Sequence, residues 1–205
     1  MAPEYWSLAT AALSASDHQM KCLIATYEGE ILVSRGTPFA TLARSIVGQQ
    51  ISVKASESIW ARVLAKCGRA TPEDFRVQGV AGLSDCGLSQ RKIEYLLDLA
   101  THFQEGRLNP ALWQTMDDET LIKALCEVRG IGRWTAEMFL IFNLLRQDVF
   151  PLDDIGLQRA VSRHYFSGNK LTRKELADFG LRWAPWRTVA TWYLWRSLDP
   201  LPVAY

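Results

Sequence analysis

Apolar side chains recur at helical spacing along most of this 205-residue chain, and this periodicity limits the possible folds more than any other feature. In the segment 38–50 the apolar positions repeat with the 3.6-residue period of an α-helix. They are Phe39, Leu42, Ala43, Ile46 and Val47. Further helices are predicted over 52–67, 89–103, 118–127, 133–145, 155–166 and 185–198, the last with Pro185 near its first turn. Strand-like alternation is confined to 30–34, so the sequence predicts an all-α protein.

The charge and the cysteines narrow the classes of function. The net charge is +1, so the chain is not strongly basic, and any contact with nucleic acid must come from a local patch. The four cysteines, Cys22, Cys67, Cys86 and Cys126, form no C-x-x-C pair, which argues against zinc or iron–sulfur ligation. No basic signal-peptide region precedes the first helix and no apolar run approaches the length of a membrane span. A cytoplasmic protein without a membrane partner is therefore expected.

A glycine-rich turn lies between two predicted helices. Gly130 and Gly132 flank one isoleucine, and Arg129 and Arg133 flank the turn. Glycine permits a close backbone approach, and a helix N-terminus offers N–H groups and a positive dipole end to a phosphate. An ordinary sharp turn between helices explains the same glycines. From these residues alone, both interpretations stay open.

Two acidic stretches precede predicted helices. Asp153 and Asp154 follow Phe-Pro-Leu, and the segment 117–119 reads Asp-Asp-Glu. Acids are favoured at helix N-termini, which explains the 117–119 segment better than a magnesium-dependent nuclease site does. For Asp153 and Asp154, spacing alone also favours capping over catalysis.

Four stretches resemble one family of DNA repair enzymes. The stretch VRGIGRWTAEMFLIF at 128–142 resembles the helix-hairpin-helix motif of the DNA glycosylase superfamily. The closest resemblance is to the 3-methyladenine DNA glycosylase II family, which FATLARSIVGQQISVKAS, GLSQRKIEYLLDLA and RWAPWRTVATWYLW also resemble. The matches run in order over 38–198. The resemblance implies the all-α helix-hairpin-helix glycosylase fold, with an active-site cleft between two helical subdomains, in the compact form without an extra N-terminal domain.

The resemblance also implies the division of the chain. Residues 36–139 would form the subdomain that ends in the hairpin, and residues 1–35 with 140–205 the subdomain that carries the catalytic aspartate. No cysteine follows Cys126, which argues against the iron–sulfur branch of the superfamily.

Particular residues take on roles only through this resemblance. Asp154 would be catalytic, and Asp153 a structural cap.

The expected hairpin contacts to DNA phosphate come from Gly130, Gly132, Arg133 and Thr135. The expected base pocket is formed by Trp134, Met138 and Trp195, with Met138 at a position where the family has tyrosine. The expected wedge that fills the gap left by the flipped base comes from Gln49 and Gln50; a solvated polar helix end is the alternative. The backbone carbonyls of Cys126, Val128 and Ile131 match positions that hold a structural Na⁺ or K⁺, and no cofactor is required.

The implied function is removal of alkylated bases, such as 3-methyladenine and 7-methylguanine, from double-stranded DNA in base excision repair, by a monomer. Trp134 stands where relatives that also cleave the strand carry a lysine, and tryptophan cannot form a Schiff base, so no strand cleavage is expected.

One alternative is a glycosylase for uracil, mismatched thymine or hypoxanthine. Another is a DNA-binding scaffold without catalysis, which would have no need of a carboxylate facing an anionic backbone.

Overall fold

The computed structural model describes residues 3–34 and 36–198, and this part of the chain contains helices and no strand. The predicted all-α class is therefore confirmed, and residues 30–34 lie outside any regular element. The α-helices are α1 Trp6–Ser16, α2 His18–Thr26, α3 Pro38–Gly48, α4 Val53–Cys67, α5 Pro72–Ser84, α6 Gln90–Gln104, α7 Asp118–Cys126, α8 Arg133–Phe142, α9 Ile155–Tyr165, α10 Arg173–Gly180 and α11 Arg187–Arg196. Two short 3-10 helices cover Pro110–Thr115 and Leu181–Trp183.

The helix boundaries follow local chemistry at several predicted positions. The side chain of Ser52 accepts the N–H of Ala55 at the start of α4, and Ser89 accepts the N–H of Lys92 at the start of α6. Each bond satisfies one of the amide groups that a helix start leaves without a partner. Gly68 ends α4 with a φ of 56°, a conformation that favours glycine.

Two predicted boundaries are wrong. Helix α8 ends at Phe142 rather than at residue 145, because Leu145 adopts a φ of 54° and the N–H of Arg146 turns back to the carbonyl of Leu140. Helix α11 begins at Arg187, two residues beyond Pro185, which follows a cis peptide bond. Proline at this point therefore precedes the helix instead of lying in its first turn.

The chain divides into two compact units, and the division falls within α8. Among the described residues, 36–139 form one unit, here called the hairpin unit, and 3–34 with 140–198 form the other, here called the aspartate unit. The predicted assignment of DNA clamping to one and catalysis to the other stays a prediction.

Each unit has an aromatic core of its own. In the hairpin unit, Phe39 makes edge contacts with Phe75 and Phe103, and Trp113 lies between Phe103 and Phe139. In the aspartate unit, Trp183 is 1% exposed and packs against three aromatic rings. These belong to Phe150, Tyr165 and Phe179. Edge contacts of this kind stabilise a core beyond the burial of area alone.

Candidate active site

Asp154 is the N-cap of α9 and is bound on one oxygen by two donors. Its Oδ1 accepts the backbone N–H of Leu157 at 2.6 Å and the indole N–H of Trp195 at 2.8 Å. The expectation that Asp153 is the cap is therefore wrong. Asp153 is exposed and forms a 3.0 Å ion pair with Arg173 instead. The two carboxylates are thus distinguished by environment, and Asp154 is the one held in a fixed orientation by protein donors.

The ring that donates to Asp154 is itself fixed by stacking. The rings of Trp195 and Phe142 lie nearly parallel, with centroids 5.7 Å apart and an interplanar angle of 9°. One face of Trp195 is therefore occupied by protein. The indole restrains the carboxylate through its N–H, and its own orientation is fixed by Phe142.

Gly156 is a part of this site that the sequence reasoning missed. A Cβ atom at this position would lie 3.0 Å from Oδ1 of Asp154 and 3.2 Å from the Trp195 ring. Any larger residue would crowd the carboxylate and its donor. The available signal was a glycine in the first turn of a predicted helix, where glycine weakens the helix unless space demands it.

The hairpin turn depends on its first glycine more than on its second. Gly130 has a φ of 86°, and a Cβ there would lie 2.1 Å from the Tyr95 ring of α6. Gly132 is exposed, and a Cβ there would meet no atom within 4 Å. Gly130 is thus required for packing, whereas Gly132 leaves open space at the start of α8, where a helix N-terminus favours an anion.

Arg133 does not extend into solvent as a simple positive charge. Its guanidinium donates to both oxygens of Glu119 and, through Nε, to Glu137 at 2.9 Å. The hydrogen bond from Arg133 lowers the pKa of Glu119. In the sequence, Arg133 is a source of local positive charge beside the turn, and in the structure this charge is paired with two carboxylates. The contact of Arg133 with a DNA phosphate stays a prediction.

The two glutamines of the predicted wedge have different roles in the structure. The side-chain amide of Gln49 donates to the carbonyl of Gly130 at 2.8 Å, which ties the end of α3 to the hairpin. Gln50 is exposed and has a φ of 60°, uncommon for a residue other than glycine. Strained backbone of this kind is concentrated at functional sites. Gln50 is therefore the better wedge candidate, and Gln49 belongs to the support of the hairpin.

Lys92, in α6, binds the segment that contains Gln49 and Gln50, a role that the sequence did not indicate. Its ammonium donates to the carbonyls of Val47 and Gln49 at 2.7 and 2.8 Å. Burial lowers the pKa of Lys92. The charge at α6 thus satisfies carbonyls at the C-terminal end of α3, where a cation also complements the helix dipole. The signal available was its position within the stretch GLSQRKIEYLLDLA, beside the cap Ser89.

The remaining predicted residues of the hairpin unit are less accessible than expected. Trp134 is half-buried, Thr135 is 8% exposed and Met138 is 2% exposed. A buried Thr135 leaves its backbone rather than its hydroxyl as the candidate DNA contact. Trp134 and Met138 lie in the hairpin unit and Trp195 in the aspartate unit, so a base pocket formed by all three stays a prediction.

The predicted cation site consists of backbone oxygens at the end of α7. The carbonyl of Val128 already accepts the N–H of Ile131 at 3.1 Å, and a carbonyl oxygen can accept a second partner. Carbonyl oxygens of this kind replace the hydration shell of Na⁺ or K⁺. The donors at Cys126, Val128 and Ile131 are thus of a suitable chemical type, and ion binding there stays a prediction.

The acidic stretch at 117–119 has structural partners. Asp117 caps α7 by accepting the N–H of Thr120 at 2.9 Å, and Glu119 binds Arg133. Among the residues that the structure describes, no three His, Cys, Asp or Glu side chains are grouped so as to hold a metal ion. Within the same residues, no helix is both long and apolar enough to cross a membrane.

Comparison with known proteins identifies the relatives of this chain. Residues 43–185 match the family described as the HhH-GPD superfamily of base excision DNA repair proteins. DNA-3-methyladenine glycosylase 1 of Schizosaccharomyces pombe is 31% identical over 179 residues, which are 85% of this chain and 78% of that protein.

Solved structures show the same relationship. A crystal structure of a DNA-3-methyladenine glycosidase from Bacillus halodurans superposes with a TM-score of 0.86 at 36% identity, covering 93% of this chain and 89% of the other. The S. pombe 3-methyladenine DNA glycosylase in complex with abasic DNA gives a TM-score of 0.78 at 30% identity, covering 95% of this chain and 99% of the other. The predicted fold is confirmed by these matches.

Proposed function

Because this chain belongs to the HhH-GPD superfamily of base excision DNA repair proteins, we propose that it is a DNA glycosylase that releases alkylated bases such as 3-methyladenine. The relatives named 3-methyladenine glycosylases support this substrate class, and the relative solved with abasic DNA supports damaged double-stranded DNA as the partner. One observation carries the proposal: Oδ1 of Asp154 accepts the N–H groups of Leu157 and Trp195, so protein donors fix the orientation of this carboxylate at the start of α9.

The reaction is hydrolysis of an N-glycosidic bond, whose transition state resembles an oxocarbenium ion. A fixed carboxylate stabilises the positive charge that develops on the sugar, and it can also orient the attacking water. The donors Leu157 N–H and Trp195 N–H hold Asp154 before the reaction begins. Little reorganisation is then needed when the charge appears, which is the condition for effective electrostatic catalysis.

The hairpin would hold the DNA backbone while the base is out of the duplex. The open space at Gly132 lets a phosphate approach the N-terminus of α8, and the φ of 86° at Gly130 shapes the turn. Gln50 would occupy the gap left by the flipped nucleotide, with Gln49 and Lys92 fixing the loop from behind. Flipping costs a few kcal/mol, which stacking on aromatic rings of the pocket can offset.

We further propose a preference for bases made cationic by alkylation. The predicted pocket residues Trp134 and Trp195 are tryptophans, whose electron-rich rings attract a cation by about 2 kcal/mol when it is desolvated. No histidine or lysine occupies the three predicted pocket positions, so a neutral leaving base would find no acid there. A base alkylated at N3 or N7 needs little protonation because its glycosidic bond is already weak.

Competition kinetics on oligonucleotides with one defined lesion each test this preference. The expected order of release is 7-methylguanine ahead of hypoxanthine, with 8-oxoguanine removed hardly at all. Faster release of uracil or 8-oxoguanine than of 7-methylguanine would overturn the alkylation proposal while leaving a glycosylase. No release of any base from methylated DNA would instead favour a DNA-binding scaffold.

Excision would leave the strand intact and would be carried out by a monomer acting on DNA in the cytoplasm. Trp134 follows Gly132 at the position where an amine nucleophile would be needed, and an indole cannot form a covalent imine with the sugar. We expect no protein–DNA adduct when borohydride is added during turnover. A trapped adduct in good yield would show lyase activity.

A further inference from the structure

A basic cleft opens along α9, within the aspartate unit and next to Asp154. Its volume is about 640 Å³. One wall is the face of α9 that carries Ile155, Arg159 and Arg163, and the other is formed by the segment 168–173, including Lys170 and Arg173. The cleft therefore begins at the two neighbours of Asp154, Asp153 and Ile155, and extends toward the C-terminal end of the helix.

The cleft carries an excess of positive charge. Asp153 and Arg173 neutralise each other at 3.0 Å. Two other carboxylates lie near the cleft. Asp154 accepts the N–H groups of Leu157 and Trp195. Glu175 accepts the N–H and hydroxyl of Thr172 at 2.7 and 2.8 Å. Among the residues that the structure describes, no ion pair is formed by Arg159, Arg163 or Lys170. Three cations thus line one cleft.

Folding does not explain this arrangement. A cation in the last turn of a helix interacts favourably with the helix dipole, and this explains the position of Arg163 but not those of Arg159 and Lys170. Arg159 and Arg163 are four residues apart, about 6 Å along the helix axis, and like charges at this spacing destabilise a helix. Lys170 adds a third like charge from the opposite wall. An anion that lies in the cleft would turn this repulsion into binding.

Ile155 gives the cleft a second chemical feature at its end nearest Asp154. Its side chain is 62% exposed, although α9 buries other apolar residues in the core. A mixed surface of an exposed aliphatic chain followed by arginines suits a nucleic acid strand, whose sugars are apolar on one face and whose phosphates are charged. An acidic peptide would match the charges but would have no reason to begin beside Asp154.

We propose that this cleft binds phosphates of the lesion-carrying DNA strand on one side of the flipped nucleotide, with Ile155 against a sugar and Arg159, Arg163 and Lys170 on the backbone. This inference rests on the proposed function, since a strand whose sugar lies at Asp154 must continue past the start of α9. It adds a second phosphate-binding surface, separate from the hairpin and located in the other unit.

The test is the salt dependence of binding to an abasic-site duplex. The double variant Arg159→Ala/Arg163→Ala is compared with Lys21→Ala/Lys174→Ala, which removes two exposed charges from the same unit outside the cleft. Each lost phosphate contact reduces the slope of log K against log salt by about 0.9. We expect the cleft variant to lose about 1–2 units of slope and the control less than half a unit.

Equal slopes in the two double variants would overturn the proposal, as would a cleft variant with the parent's slope. Lys170→Ala against Lys174→Ala repeats the comparison with one charge each, and thermal melting checks that all variants fold. The conservative variant Arg159→Lys should keep the salt slope of the parent protein, because a point charge suffices for a phosphate. Failure of the proposed function would be visible separately, as absence of base release by the parent protein.

Discussion

The same substitution at the two glycines of the hairpin should change two different properties: stability at Gly130 and DNA affinity at Gly132. Gly130→Ala places a methyl group 2.1 Å from the Tyr95 ring, at a φ of 86° that disfavours any side chain. The left-handed conformation costs roughly 1–2 kcal/mol and overpacking typically costs about 1–3 kcal/mol, so we expect a loss of about 2–5 kcal/mol. For a chain of this size that corresponds to a fall in Tm of about 4–20 °C.

Gly132→Ala is the matched control, because its methyl group would enter open space without backbone strain. Its Tm should lie within about 2 °C of the parent value, since surface substitutions without such strain change stability by less than about 0.5 kcal/mol. The new methyl group would instead lie where a phosphate approaches the start of α8. We expect its Kd for an abasic-site duplex to rise about 10-fold, which corresponds to about 1.4 kcal/mol.

Differential scanning fluorimetry and fluorescence anisotropy measure the two effects on the same preparations. A double variant, Gly130→Ala/Tyr95→Ala, removes the ring that the methyl group would meet. It should be more stable than the sum of the single effects predicts, by roughly 1–3 kcal/mol. Melting of Gly130→Ala at the parent temperature, or parental DNA affinity in Gly132→Ala, would refute the assignment of packing to one glycine and phosphate approach to the other.

Three further perturbations test other parts of the site. Lys92→Met removes two hydrogen bonds to carbonyls and should lower the free energy of unfolding, measured in urea, by about 1–3 kcal/mol. The control Lys123→Met, at an exposed lysine, should change it little. Equal free energies of unfolding in the two variants would show that Lys92 does not support the loop. Trp195→Phe keeps an aromatic ring beside Phe142 but deletes the N–H donor to the Asp154 carboxylate. Single-turnover excision should therefore slow about 10-fold or more, with little change in the affinity for abasic-site DNA. An unchanged rate would show that the donor is dispensable. Burial lowers the pKa of His164, so the unfolded state takes up the proton first as pH falls. The free energy of unfolding should therefore fall from about pH 6.5 down to the lowered value, and His164→Gln should abolish that fall; its persistence would assign it to another group.

Much of the helical framework could be predicted because its causes are local. Apolar periodicity predicts which face of α3 is buried, and side-chain caps such as Ser52 and Ser89 act within three residues of themselves. The end of α8 could not be predicted in this way. It depends on a left-handed residue at Leu145, for which the sequence offers no glycine.

The site was harder to predict because its contacts join residues that are distant in sequence. Trp195 reaches Asp154 across 41 residues, and Arg133 reaches Glu119 across 14. No short-range pattern indicates either pairing. The sequence therefore did not indicate that Arg133 is ion-paired. It also suggested a cap at Asp153, whereas in the structure its neighbour Asp154 is the cap.

The central claim is that Asp154 is the catalytic carboxylate, and Asp154→Asn against Asp153→Asn tests it most directly. Asparagine is a good N-cap, and its side-chain oxygen can still accept both donors, so α9 should be retained while the negative charge is lost. We predict that Asp154→Asn slows single-turnover release of 7-methylguanine by at least about 10²-fold, the scale of losing a preorganised electrostatic group. It should still bind an abasic-site duplex at least as tightly as the parent. Asp153→Asn, which loses only an exposed ion pair, should keep nearly the parent rate. Near-parental release by Asp154→Asn, with the loss falling on Asp153→Asn instead, would contradict the account.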